Sequence, residues 1–162
     1  NLKPDVILSH DDWGTKTSLF MQPDTWREFF KDHYKRIYGY MKEHGVIVIH
    51  HADSFCEPII EDMVDLGIDI WQGVLPENDI VKLQKQLDGR MTLMGGVDAT
   101  IDRADATEEE IRANVRHVCE TYGPGGHFIP CMTYGLSGTI YPQTDKFITD
   151  EIDRYNKETY GI

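Results

Sequence analysis

The sequence has few cysteines, an excess of acidic over basic residues and no long apolar run. Its three cysteines, Cys56, Cys119 and Cys131, are widely spaced and form no CxxC pair. This pattern argues against a secreted disulfide framework and favours a reducing, cytoplasmic location. The 16 Lys and Arg residues against 28 Asp and Glu give a net charge of −12, so we expect no nucleic-acid partner. No apolar stretch approaches the roughly 20 residues that span a bilayer, so we expect no membrane partner either.

The remaining composition is that of a folded domain. A length of 162 residues suits a single domain over 1–162, and a hydrophobic fraction of 40% can build its core. The first residues, Asn1 to Pro4, run directly into an apolar segment without a Met or a signal-peptide pattern. We therefore expect the chain to be part of a longer protein.

Five short apolar runs are each followed by a segment with helical spacing. Continuous runs of this kind are typical of parallel strands that are buried on both faces. The predicted strands are residues 6–8, 46–49, 68–71, 91–94 and 128–131, and the predicted helices are about 24–44, 58–66, 80–87, 107–122 and 147–155. Thr25 with Glu28 and Thr107 with Glu110 have the spacing of helix-capping boxes.

This strand–helix alternation favours right-handed βαβ crossovers and therefore an α/β fold with a parallel sheet. A closed (β/α)8 barrel takes about 250 residues. Five units thus predict part of a TIM barrel whose N-terminal units are missing from this chain. An open doubly wound sheet is the alternative, although no GxGxxG or P-loop motif supports a nucleotide-binding version of it.

Ionisable residues follow the predicted strands, at the ends where ligands bind in both architectures. We expect four of them to be catalytic, by proton transfer or by orienting a polar or cationic substrate group: His10, Asp11, Asp12 and His51. The alternative for the two aspartates is that they only cap a turn.

A metal site is a second hypothesis for the same strand ends. His50, Asp53 and Cys131 offer an imidazole, a carboxylate and a thiol, which are the ligand types that zinc accepts. His50 and His51 point to opposite faces of their strand, so one of the two can be structural. A site without a metal, with His10 or His51 handling a proton, is equally consistent with the sequence.

Substrate contacts are predicted from the same positions. Trp13 and Trp71 suggest a flat apolar wall that would suit a planar macrocycle or an aromatic substrate. Gln72, Asp98 and Tyr134 also follow strands and are expected to contact a small-molecule substrate.

Several segments resemble the uroporphyrinogen decarboxylase superfamily. The matching segments are residues 10–15 (HDDWGT), 23–29, 34–37, 60–69, 94–98 and 122–126. They occur in the family's order over essentially the whole chain and correspond to the second half of the family's (β/α)8 barrel. The resemblance implies an enzyme when the barrel is complete, and the missing N-terminal half or a second copy of the chain as a partner.

The superfamily has two branches with different chemistry. Decarboxylases remove acetate carboxyls from a porphyrinogen without a cofactor, and their basic pocket lies mainly in the first half of the barrel. Cobamide-dependent methyltransferases use zinc held by a His-x-Cys motif and a distant Cys. In this comparison His50 matches the histidine, Ala52 replaces the first cysteine and Cys131 lies near the second.

The Asp-Asp-x-Gly segment at residues 11–14 is more similar to the methyltransferase type. We therefore expect a corrinoid-linked methyltransferase that moves a methyl group between a small methylated substrate and a cobamide carrier. Zinc is a possible cofactor and a corrinoid protein a possible partner. The alternatives are uroporphyrinogen III decarboxylation, which needs no cofactor, and a non-catalytic fragment or subunit.

Overall fold

A computed structural model describes residues 2–133 and 140–162, which fold around one five-stranded parallel sheet. The strands are β1 (Val6–His10), β2 (Ile47–Ser54), β3 (Ile70–Val74), β4 (Thr92–Gly96) and β5 (Phe128–Cys131). They lie side by side in chain order, and every neighbouring pair is parallel. The predicted α/β class and parallel sheet are confirmed.

Helices connect the strands. They are α1 (Pro23–Trp26), α2 (Asp32–Glu43), α3 (Ile60–Asp65), α4 (Ile80–Leu87), α5 (Glu108–Tyr122) and α6 (Pro142–Tyr160). A π-helical segment, Arg27–Lys31, joins α1 to α2. None of the described helices is both long and apolar enough to cross a membrane.

The two predicted capping boxes have different outcomes. Thr107 and Glu110 form the reciprocal pair of side-chain-to-backbone hydrogen bonds at the start of α5, as predicted. The box at Thr25 and Glu28 is wrong, because α1 begins earlier, at Pro23. Proline suits that first helical position, since its missing N–H would have no partner there.

The two faces of the sheet differ in what covers them. Val48, Trp71 and Leu93 point toward the helices and are completely buried. On the other face Leu8 is 56% exposed, and Val6, Ile47 and Ile129 are also exposed. We call this second side the open face. A doubly wound sheet carries helices on both faces, whereas a barrel carries them only outside, so the arrangement is that of a partial barrel.

Gly73 allows β2 and β3 to approach closely near the ends of the strands. Its φ is +120°, and a Cβ at this position would lie 2.3 Å from the carbonyl oxygen of Ala52. The β2–β3 register shifts between His51 and Ser54, as expected at a β-bulge. Only glycine fits this combination of backbone angle and contact, and the bulge sets the direction of Asp53.

The sidedness of the sheet can be tested with one substitution on each face. Leu93→Ala should lower the free energy of unfolding by about 2–5 kcal/mol, because it leaves a cavity between the sheet and the helices. Leu8→Ala should cost less than about 1 kcal/mol in this 162-residue chain, since its side chain is already exposed. Urea unfolding of both variants measures the difference, and equal losses would contradict the assignment of the open face.

Candidate functional site

Polar side chains meet on the open face at the C-terminal ends of β1, β2 and β3. His10 is the register partner of His51, and His51 is the partner of Gln72. Register partners of neighbouring strands point to the same side of a sheet. These three side chains therefore form one row above the aliphatic part of the open face.

His10 and His51 form a cluster with Asp12, which follows β1 at the end of this row. One ligand atom from each residue lies within 4.8 Å of the others. The rings of His10 and His51 are 4.2 Å apart between centroids. His51 Nε2 lies 3.9 Å from Asp12 Oδ1 and 3.7 Å from Asp53 Oδ2.

Gln72 determines which nitrogen of His51 faces this cluster. The Nδ1 of His51 is hydrogen-bonded to the side-chain oxygen of Gln72. An amide oxygen only accepts, so Nδ1 must carry the proton of this bond. In the neutral ring Nε2 then has a free lone pair, and it points toward the carboxylates of Asp12 and Asp53.

Both carboxylates are fixed in place. Asp12 Oδ1 accepts a hydrogen bond of 2.8 Å from the backbone N–H of Asp53, which joins the loop after β1 to β2. Asp53 Oδ1 accepts one of 2.6 Å from the hydroxyl of Thr133, just after β5. The end of β1 and the segment after β5 therefore both contribute to one site.

A cavity of about 240 Å³ adjoins these carboxylates. Its described lining comes from the segments that follow the strands and consists of Asp12, Lys16, Asp53, Leu75, Pro76, Glu77, Val97, Asp98, Ala99 and Thr133. Four of these residues are acidic, and Lys16 is the only basic one among those described. The cavity therefore has a negative potential with a small aliphatic portion.

The predicted position of His50 is wrong. Its side chain points toward the helices and is completely buried, with Trp13 stacked on its ring at a centroid distance of 3.8 Å. Its Nδ1 is 2.7 Å from the hydroxyl of Tyr38. Neighbouring residues of a strand face opposite sides, so His51 reaches the open face and His50 cannot.

Burial also determines the protonation of His50. It lowers the pKa of His50 to about 4 and raises the pKa of Tyr38 to about 12. Tyr38 therefore keeps its proton, and its hydroxyl is hydrogen-bonded to Nδ1 of the neutral ring. Nε2 has no hydrogen-bond partner among the residues that the structure describes.

The predicted zinc set of His50, Asp53 and Cys131 does not assemble. Cys131 and Asp53 belong to the open-face side, whereas His50 lies behind the sheet. Burial raises the pKa of the Cys131 thiol to about 12, with a further increase from the charge of Asp53. Because the sheet separates His50 from the other two residues, this set does not fit the zinc site of the methyltransferase branch.

The predicted aromatic wall is wrong as well. Trp71 is completely buried and donates a 2.9 Å hydrogen bond to the carbonyl of Ala52. Trp13 packs edge-to-face on Trp26 and Tyr34 within the core. Large aromatic rings at strand ends gain more free energy by filling the space beneath the helices than by facing solvent.

Asp11 lies apart from the cluster. Its carboxylate accepts a hydrogen bond from the hydroxyl of Tyr34. Burial, together with this carboxylate, raises the pKa of Tyr34, so the hydroxyl remains a donor. Asp11 therefore stays exposed beside α2, and Asp12 supplies the carboxylate that reaches His51.

Other predicted contacts have mixed outcomes. Asp98 lines the acidic cavity, and its Oδ1 accepts a 2.9 Å bond from the N–H of Thr100. Gln72 orients His51 through its side-chain oxygen. Tyr134 lies outside the described residues.

Sequence reasoning missed Lys16, Glu77 and Thr133. Each follows a strand, so listing every polar residue in these segments would have found them. Tyr38 was missed for a different reason. A tyrosine in the apolar stripe of a helix gives no sign that its hydroxyl reaches a histidine on the sheet.

The buried neutral His50 predicts a specific dependence of stability on pH. Its pKa falls from 6.5 to about 4 on folding, so the unfolded state binds more protons between these values. The free energy of unfolding should therefore fall as the pH is lowered through this window, by up to about 1.4 kcal/mol per pH unit from this group. Urea unfolding at several pH values should show a shallower slope for His50→Gln than for wild type.

His33→Gln is the matched control, because His33 is an exposed histidine on α2. It should follow the wild-type slope. A His50→Gln slope equal to that of wild type would show that His50 is not the group that titrates.

Comparisons with known proteins agree with this geometry. The structure is similar to that of a methyltransferase from Methanosarcina mazei, with a TM-score of 0.71 and 21% sequence identity over 93% of this chain and 42% of that one. At this identity the likeness concerns the fold alone, and because it covers only part of the neighbour it is consistent with a partial barrel.

The sequence comparisons identify the family. Uroporphyrinogen decarboxylases from Thioalkalivibrio sulfidiphilus and Chlorobium limicola are each 26% identical to this chain, over 92% and 94% of its length. The chain spans less than half of these relatives, 41% and 44% respectively. The family model described as "Uroporphyrinogen decarboxylase (URO-D)" matches residues 4–155. Nearly the whole chain is thus covered, and it belongs to the uroporphyrinogen decarboxylase family.

Proposed function

We propose that this chain contributes to a corrinoid-linked methyltransferase of the uroporphyrinogen decarboxylase family. The observation that carries the proposal is the charge of the candidate site. Asp12, Asp53, Glu77 and Asp98 line one cavity, and Lys16 is the only described basic residue that accompanies them. Such a site favours a neutral or cationic substrate.

Uroporphyrinogen is a poor electrostatic match for this cavity, because it carries a carboxylate on each of its side chains. Two like charges about 4 Å apart repel each other by roughly 4 kcal/mol at an effective dielectric constant near 20. Several such contacts would outweigh the attraction of one lysine. A small methylated amine has the opposite charge and is attracted by the same carboxylates.

The proposed reaction transfers a methyl group from a small methylated compound to a cobamide carrier. The bond between the methyl carbon and its heteroatom breaks, and both electrons of that bond stay on the heteroatom. A bound corrinoid would supply a cobalt(I) electron pair as the acceptor of the methyl group. Asp53 and Asp98 would hold a cationic substrate in the cavity, and the amine would leave as its neutral form without a proton transfer.

Decarboxylation is the second candidate. It is favoured by the two curated relatives reported above, which are described as uroporphyrinogen decarboxylases. In that case the substrate's carboxylates would not enter the acidic cavity, and residues outside this chain would bind them. Either activity is proposed for a complete barrel, because the chain spans less than half of these relatives.

The two candidates are separated by assaying the protein in the form purified from its native host. We expect methylcobalamin to appear, by its visible spectrum, when cob(I)alamin and methylated amines or methoxy-aromatics are supplied. Asp12→Asn should lower kcat/KM by about 100-fold or more, since it removes a charge while an amide oxygen can still accept from Asp53. Release of CO2 from uroporphyrinogen without any methyl transfer would overturn the proposal.

Asp32→Asn is the matched control for this variant. Asp32 is an exposed aspartate in the first turn of α2, away from the cavity. It should retain the wild-type kcat/KM. The loss in Asp12→Asn would then be due to the place of Asp12 in the cavity and not to the loss of one negative charge from the protein.

A further inference from the structure

The strongest unexplained feature of the site is the convergence of hydrogen-bond acceptors. His51 Nε2 points toward Asp12 Oδ1 at 3.9 Å and Asp53 Oδ2 at 3.7 Å. Because Nδ1 is hydrogen-bonded to Gln72, Nε2 is the ring nitrogen that faces these oxygens and is available to a ligand. An imidazole nitrogen and two carboxylate oxygens within 4 Å of it form an anionic site that attracts a cation.

We propose that His10, Asp12 and His51 bind a divalent transition metal ion. Two imidazoles and one carboxylate are the donor set that zinc and related ions accept, with open positions left for a substrate or water. Within residues 2–133 and 140–162 these three form the only group of metal-capable side chains whose ligand atoms converge. The site differs from the His50, Asp53 and Cys131 set, which the sheet keeps apart.

The distances fit a site that closes slightly around an ion. Ligand atoms about 2.0–2.1 Å from a tetrahedral zinc lie about 3.3 Å from each other. The 3.9 Å between His51 Nε2 and Asp12 Oδ1 exceeds this by about half an ångström, and the three ligand atoms, all within 4.8 Å of one another, exceed it by about 1.5 Å at most. His10 and Asp12 are both exposed, so their side chains can make this adjustment by rotation.

The surrounding hydrogen bonds are those expected around metal ligands. Histidine ligands usually donate their second N–H to an oxygen, which fixes the ring and the nitrogen that binds. Gln72 does this for His51. The backbone N–H of Asp53 holds one oxygen of Asp12, and Thr133 holds Asp53 beside the cluster at 2.6 Å.

Metal binding can be measured without any substrate, so the test is independent of the proposed function. The protein, without a histidine tag, is treated with chelator, dialysed and titrated with Zn²⁺ by calorimetry and with Co²⁺ by visible absorption. We expect one equivalent of each ion to bind, with the intense visible bands of Co²⁺ in a four- or five-coordinate site. Asp12→Asn and His10→Ala should each lower the affinity at least tenfold.

Gln72→Leu tests the orienting hydrogen bond. Loss of such a partner typically lowers metal affinity by about 10–100-fold while the ligands remain. His33→Ala is the matched control for His10→Ala, because it removes an exposed histidine from α2. It should leave both titrations unchanged.

The outcomes distinguish the alternatives. His10→Ala and Asp12→Asn alter exposed side chains, so they should stay folded even if replacement of the buried His51 does not. Failure of the wild-type protein to bind either ion at micromolar concentration would overturn the proposal. Undiminished binding by both variants would place the metal elsewhere and would overturn it equally.

Discussion

The alternation of side chains along β2 is the constraint on which the candidate site depends. A strand directs neighbouring residues to opposite faces, so two adjacent histidines are placed in two different environments. His50 enters the layer between the sheet and α2, where it is neutral and hydrogen-bonded to Tyr38. His51 enters the open face beside Asp12 and Gln72. His50 therefore stabilises the core, and His51 is available for catalysis or ligand binding.

The sequence predicts where each strand lies, because each is a short apolar run with a helical segment after it. It misses the polar C-terminal ends of the strands, since the predicted β2 ends at residue 49 and the observed strand runs to Ser54. It also predicts that the polar residues at strand ends lie at one edge of the sheet. The face of each residue is harder to predict, because parallel strands in a partial barrel are apolar on both sides. Nothing in the local pattern at residues 46–51 shows which histidine lies under α2.

The tryptophans illustrate the same difficulty in energetic terms. Trp13 and Trp71 occupy positions at strand ends where substrate contacts are common, yet both are buried. Filling the layer beneath the helices removes a large apolar ring from water, and this gain applies whether or not a ligand binds. Composition thus predicts an aromatic wall, whereas the described surface beside the polar row is aliphatic, with Leu8 and Ile129 exposed on it.

The site is also linked to the edge of the sheet. Among the described strands β1 pairs only with β2, and it supplies His10 and, just beyond its end, Asp12. Two hydrogen bonds extend the pairing past the strand: Asp11 N–H donates to the His51 carbonyl at 3.2 Å, and Asp53 N–H donates to the Asp12 carboxylate at 2.8 Å. Through the second bond, the side chain of Asp12 continues the hydrogen bonding between β1 and β2. A carboxylate beyond the end of an edge strand is therefore tied to the neighbouring strand by a backbone hydrogen bond.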